Sequence, residues 1–409
     1  MTDRPGKGSL AAAKLRTTAI IVLLYFACKQ IPIPWAQRVQ LGSGAGLLAF
    51  VSGMLGTQNG SNSILSLGLQ PLITASIFVQ LFVTMFKKED KDYSQSQVSL
   101  ATRIAALVVA VPLAVYRALG MQYSGAFPLP FPARIVLTSV ILAAGSFAVI
   151  WFSDRNTARG IGGQSALILV NMLDSSRVTA AQLIGEIAGS DDVLKRIFIL
   201  TAVVIGMTFL SLLFESAEVR EPVHRSIMNS SREDIDYIAV KCNPAGSMPV
   251  MYVMTVFSIP YYILMLINLF VPVGGAIAFW QQAMNMQTYL GLFLFITLLW
   301  LLTFAMAFIM VSPADISKTL RKAGDYIIGV PAGRATRQVL RRDVIVTSVL
   351  SSAVITLTIG IPIAIRISNH GTSPIYMLPT TIFIISGIFL QIYDELHVLR
   401  LMEDYKPFL

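Results

Sequence analysis

The stretch SLGLQPLITASIFVQLF, Ser66 to Phe82, is apolar enough to enter a bilayer, yet it carries Gly68, Gln70 and Pro71 near its start and follows the polar run GTQNGSNS, Gly56 to Ser63. A helix bathed in lipid does not tolerate such a lead, because hydrocarbon leaves polar groups unsatisfied. Working back from it, GAGLLAFVSGMLG (Gly44 to Gly56) has the length of a helix of about 20 Å, too short to cross. Residues 41 to 62 therefore fold either as a re-entrant segment shielded by protein or as a loop resting on the outer surface.

The rest of the chain sets that stretch in a membrane protein. Of 409 residues, 55% are hydrophobic and 13% charged, and the mean hydropathy is +0.69, whereas soluble domains are roughly one quarter charged. The apolar residues fall in runs of helical crossing length, unlike the short alternations of an outer-membrane barrel. Ten spans are expected, at about 17 to 34, 63 to 86, 99 to 119, 131 to 152, 163 to 183, 196 to 214, 249 to 271, 288 to 311, 344 to 366 and 375 to 395. The first run lacks a small-residue cleavage site after it and is expected to stay as a span. Cys28 in a span and Cys242 in a loop suggest neither a disulfide nor a metal site.

Basic residues orient the spans. With the amino terminus inside, 22 of the 31 Lys and Arg lie on one side, eight on or near the other, and Arg103 within the third span. That asymmetry is expected to place both ends of a multi-pass protein in the cytoplasm. It also accounts for most of the net +9 without a nucleic-acid partner. The fifth span carries Gln164, Ser165, Asn171 and Asp174, so it faces protein or water. A division near 190 into halves 1–190 and 191–409, each of five spans in opposite orientation, is an arrangement common among transporters.

Chemistry is excluded by what the spans lack. Asp154, Asp174, Asp394 and Glu395 sit at span ends, and His224, His370 and His397 lie in loops or at an end. An ion-coupled transporter normally keeps a carboxylate or histidine at mid-membrane despite a cost of roughly 2.5 to 3.5 kcal/mol. A hydrolase would need paired carboxylates, a serine with a histidine, or a zinc helix. No catalytic, cofactor or metal-ligating residues are expected. A passive conduit remains, against two rivals: a secondary transporter or lipid-linked sugar flippase, and a membrane-embedded enzyme.

Six blocks, in order, carry a family resemblance. IPIPW (Ile31 to Trp35), the opening stretch, SLATRIAALV (Ser99 to Val108), DRNTARGIGGQSALIL (Asp154 to Leu169), NPAGSMPVMYV (Asn243 to Val253) and SPADISKTLRKAGDYIIGVPAG (Ser312 to Gly333) resemble SecY, the channel subunit of the bacterial protein translocase. The resemblance implies an all-α membrane protein with ten transmembrane helices in two pseudo-symmetric five-helix halves around a central hourglass pore. It makes residues 41 to 62 a plug. It also implies a pore ring at Leu69, Ile73, Ser165, Leu169, Met251 and Ile384, of which Ser165 departs from the bulky apolar type. Thr74 and Gln80 on the second span and Ile259 on the seventh then lie at a lateral gate for signal peptides, with Pro71 and Pro249 starting the opposed helices. From the residues alone, each ring position reads equally as ordinary packing.

The loops 215 to 248 and 312 to 343 read, from charge alone, as topogenic. The resemblance makes them the dock of a SecA-type ATPase, through Arg220, Arg225, Lys318, Arg321, Lys322, Arg334, Arg337, Arg341 and Arg342. Where the family carries an arginine within GIRPG, this chain reads GVPAG, with Pro331 at that place and Arg334 three residues on. That departure looks like the accessory SecY of Gram-positive bacteria, which works with its own motor and exports serine-rich glycosylated adhesins; the alternative is the housekeeping form. The implied partners are the accessory SecA, SecE/SecG-like small subunits or accessory Sec proteins, the signal peptide with its unfolded preprotein, and membrane lipid.

Overall fold

The computed structural model describes residues 9–37, 62–86, 94–123, 130–188, 192–224, 236–257, 267, 288–331, 333–369 and 374–405. The expected plug, apart from Asn62, and the gate residue Ile259 lie outside these. In chain order the helices are α1 (Ser9–Lys29), α2 (Gln70–Phe86), α3 (Gln95–Leu119), α4 (Phe131–Arg159), α5 (Gly163–Ala188) and α6 (Val193–Ser216). They continue as α7 (described over Met248–Phe257), α8 (Tyr289–Val311), α9 (Pro313–Ala323), α10 (Arg334–Ser368) and α11 (Leu378–Tyr405). A described helix stands at each of the ten expected spans, with α9 additional. Seven segments of the described residues are long and apolar enough to cross a membrane, and α2 and α7 are shorter apolar helices.

Three boundaries differ from expectation. The second span begins at Gln70, not 63, because residues 64–69 form turns closed by Gly68 at φ +56°. Pro71 then sits in the first helical turn, where its missing N–H costs nothing. The first span starts at Ser9 and stops at Lys29, ahead of the two prolines of IPIPW. Finally, the segment 312 to 343 is largely helical. Ser312 at φ +46° turns α8 into α9, and α10 starts at Arg334 because Thr336, Leu340 and Val344, four residues apart, bury one face.

The expected loops are joined by a sheet. Strands β3 (Glu218–His224), β4 (Tyr237–Lys241) and β5 (Tyr326–Ile327) pair antiparallel in the order β4-β3-β5, so β3 holds both loops. Val223, Ile327 and Leu340 form a small core beneath them, with Ile316 and Leu320 of α9 packed on it. A second pair, β1 (Ala36–Gln37) with β2 (Gln122–Tyr123), ties the end of α1's connection to that of α3.

Within the bundle α2 packs on α3, α3 on α4, and α1 on α4 and α5, while α8 packs on α10 and α6 on α11; the two groups meet where α5 touches α11 and α6 and where α1 touches α11. The main apolar core runs through both.

Candidate functional site

The ring candidates come from four places in the chain. Leu69, the residue just before α2, Ile73 on α2, Met251 on α7 and Ile384 on α11 are all buried in the one main apolar core, and Leu169 of α5 is half-buried against it. Ser165 is buried outside that cluster, and its hydroxyl donates to Gln391 Oε1 of α11 at 3.4 Å.

The helices carrying Ile73 and Met251 begin alike. Gly68 and Gly246 hold φ of +56° and +59°, and their N–H groups donate to Leu65 O at 2.9 Å and Asn243 O at 3.2 Å. Each helix starts two residues later, with proline in its second position: Pro71 and Pro249. The N–H of Ile73 then donates to Leu69 O and that of Met251 to Ser247 O. The spacing Gly-x-x-Pro at Gly68 and Gly246 was a readable signal that hydropathy misses.

Of the gate candidates, Thr74 is buried and donates to Gln70 O at 2.8 Å; Thr255 on α7 does the same to Met251 O at 2.9 Å. Such back-bonding satisfies a buried hydroxyl within its own helix and bends it slightly. Gln80 is half-buried further along α2.

Two polar clamps account for the polar spans. Lys29, 8% exposed, donates to Asp174 Oδ2 at 2.8 Å and Asn171 Oδ1 at 3.2 Å, and Tyr25 donates to the same Asn171 oxygen at 2.8 Å. So the polar residues of α1 and α5 face each other. Arg103 of α3 pairs with Asp154 of α4 at 2.9 Å. At the other end, the turn RGIGGQS is gripped from three helices. Asn156 Nδ2 donates to Ile161 O and Gly163 O, Ile161 N–H to Thr18 Oγ1, and Gly162 N–H to Glu395 Oε2.

The docking candidates divide. Arg220 donates to Glu218 Oε1 at 2.7 Å and lies 4.5 Å over the Tyr237 ring; that hydrogen bond holds its guanidinium above the usual arginine range. Its charge is already engaged. Lys318, Arg321 and Lys322 on α9 and Arg334, Arg337, Arg341 and Arg342 on α10 are exposed, and their spacing of three and four residues gathers them on helix faces. Arg225 lies outside the described residues. Pro331 is exposed, and its carbonyl accepts from Thr336 Oγ1 at 3.2 Å. Burial, then the charge of Asp343, pushes the Glu221 carboxyl on β3 upward, and burial raises the Cys242 thiol.

The SecY family model matches residues 63–393. The accessory Sec system protein translocase subunit SecY2 of Streptococcus oralis is 29% identical over 407 residues, covering 98% of each chain. The protein of the same description from Leuconostoc gelidum is 25% identical over 408 residues, with 97% of this chain and 96% of that one covered. Among solved structures, "The structure of a protein conducting channel" aligns with a TM-score of 0.69 at 18% identity, over 98% of this chain and 95% of that one. Sec61 in the canine ribosome-channel complex gives a TM-score of 0.60 at 16% identity, with the same coverage.

Proposed function

The chain belongs to the SecY family, and we propose that it is the channel-forming subunit of a protein translocase, conducting unfolded secretory polypeptides across the bacterial cytoplasmic membrane. The observation that carries this reading is that Leu69 and Ile73, Met251, and Ile384, from three distant parts of the chain, are all buried in the same apolar core. A collar of aliphatic side chains closes a pore to ions because a narrow greasy constriction does not hold water. Leu169 completes the collar and Ser165 lies toward its basic side. Residues 41 to 62 act as the plug, and the seam between α2 and α7, at Thr74, Gln80 and Ile259, parts for the signal peptide.

The energy comes from a SecA-type ATPase. It docks on the exposed cations of α9 and α10, which sit with both termini on the cytoplasmic side, and the channel itself has no catalytic residues. Relatives described as accessory Sec system protein translocase subunits over nearly their whole length support the accessory system; on that reading the channel works with its own motor and small or accessory Sec subunits and takes serine-rich glycoproteins as cargo. The test is a cysteine pair at Thr74 and Ile259 in protein reconstituted with motor and ATP. Crosslinking should stop export and reduction should restore it; export through the locked protein would refute the gate.

A further inference from the structure

Four elements converge on one buried polar point where the sheet meets the bundle. Glu215 at the end of α6, Asn243 and Ser247 in the connection from β4 to α7, and Ser351 of α10 are each no more than 5% exposed. Asn243 Nδ2 donates to Glu215 Oε1 and to Gly246 O, each at 3.0 Å, and Ser351 Oγ donates to Asn243 Oδ1 at 2.8 Å. From the fourth side, α11 presses in: a Cβ on Gly387 would lie 2.9 Å from Glu215 Oε1 and 3.1 Å from Ser247 Cβ. Gly387 is three residues beyond Ile384.

The place of this cluster along the chain matters. β4 ends at Lys241 and α7 begins at Met248, so residues 242–247 alone connect the sheet to the helix that bears Met251. Gly246, with its left-handed turn, is a natural swivel in so short a link. Asn243 pins it. Shielded from water, its bonds have no competitor, and breaking one strands a desolvated group, so the arrangement is stiff. The twin turn at Gly68 has Leu65 where this one has Asn243. A leucine there can form no side-chain clamp of this kind.

We propose that Glu215, Asn243 and Ser351 form a rigid joint that passes a displacement of the sheet to α7 and the pore ring, where an unpinned glycine turn would absorb it. Glu215 and Asn243 are thus positioning residues for channel opening. The inference rests on reading the chain as a motor-driven channel and adds how the motor's push reaches the pore.

The test uses the full chain in proteoliposomes with its SecA-type motor, measuring motor affinity and ATP-driven export of an unfolded preprotein separately. Asn243→Asp sets a second carboxylate against Glu215 and removes the donor to Gly246. Motor affinity should stay within about twofold while export falls about tenfold or more, the scale of a lost coupling between sites. Adding Glu215→Gln removes the clash of carboxylates and restores one of the two lost bonds with its roles reversed, the bond to Gly246 O staying lost, and should recover part of the export. Should the single variant not purify folded, Ser351→Ala should show the same split between binding and export at a smaller, about threefold, loss. Export at the wild-type rate in Asn243→Asp overturns the joint, as do an affinity falling in step with export and a double variant no better than the single one. Failure of the wild-type protein to export with any such motor overturns the channel reading instead.

Discussion

Gly68 and Gly246 hold the same left-handed turn, and each stands five residues before a ring candidate, Ile73 and Met251. The two turns share their hydrogen bonds, the helix start two residues on and the proline after it. Only glycine and proline recur between them, because those are the residues the backbone demands; the side chains around them differ with the packing at each turn. This is why no repeat stands out in the sequence although the two turns match.

Replacing Gly246 with alanine should destabilise the protein by about 1–2 kcal/mol, the cost of a Cβ in the left-handed region. Space is not the obstacle, since the nearest atom to the added Cβ is Glu215 Oε2 at 3.7 Å. Asparagine, which tolerates that conformation, should cost less. Thermal unfolding in detergent, compared across the three proteins, checks the order.

Lys29→Met should cost about 3 kcal/mol, since it leaves Asp174 half-stranded in a buried site. The double replacement of Lys29 by Met and Asp174 by Leu should recover most of that, because two buried charges are lost together. A double-mutant cycle on unfolding free energy measures the coupling.

Replacing Ile73 or Met251 with serine should wet the constriction and raise ion leak through the resting protein in planar bilayers. Ser165→Leu should leave the leak unchanged, because Ser165 bonds Gln391, about two helical turns along α11 from Ile384.

Reversing Arg321 and Lys322 to glutamate should slow motor association, an effect that shrinks at high salt as screening removes steering. Arg220→Ala should change association far less, its charge being held already by Glu218 and Tyr237. Stopped-flow association at two ionic strengths separates them.

Glu221 sets a pH dependence on the sheet. Burial raises its pKa, so the folded sheet binds the proton more tightly than the unfolded chain. Stability is therefore lost as pH rises from the ordinary glutamate value through the raised one, and regained as it falls. Glu221→Gln should flatten that slope, read as protease resistance of the β3–β4 hairpin from pH 4 to 7.

Helix positions were legible from the residues because burying a backbone in hydrocarbon imposes a length on every apolar run, whatever the neighbours do. Hydropathy placed the start of the second span at 63, since Leu65, Leu67 and Leu69 are apolar; the turn through Gly68 is a backbone event that no hydropathy scale sees. The segment after Val311 read as a loop because its charges hide the buried stripe of Thr336, Leu340 and Val344. Leu340, at its centre, meets Val223 and Ile327 only when β3 and β5 are paired.

Composition and charge, then, determined a multi-span helical protein with one strongly basic side, because partition into lipid and the translocation of charge act on short stretches independently. Tertiary structure alone decided which buried polar groups were taken across the fold: Lys29 by Asp174 and Asn243 by Ser351. It also decided that Leu69, Met251 and Ile384 share one core. Contacts between residues a hundred or more positions apart depend on how helices cross, and crossing is settled by the whole packed bundle at once.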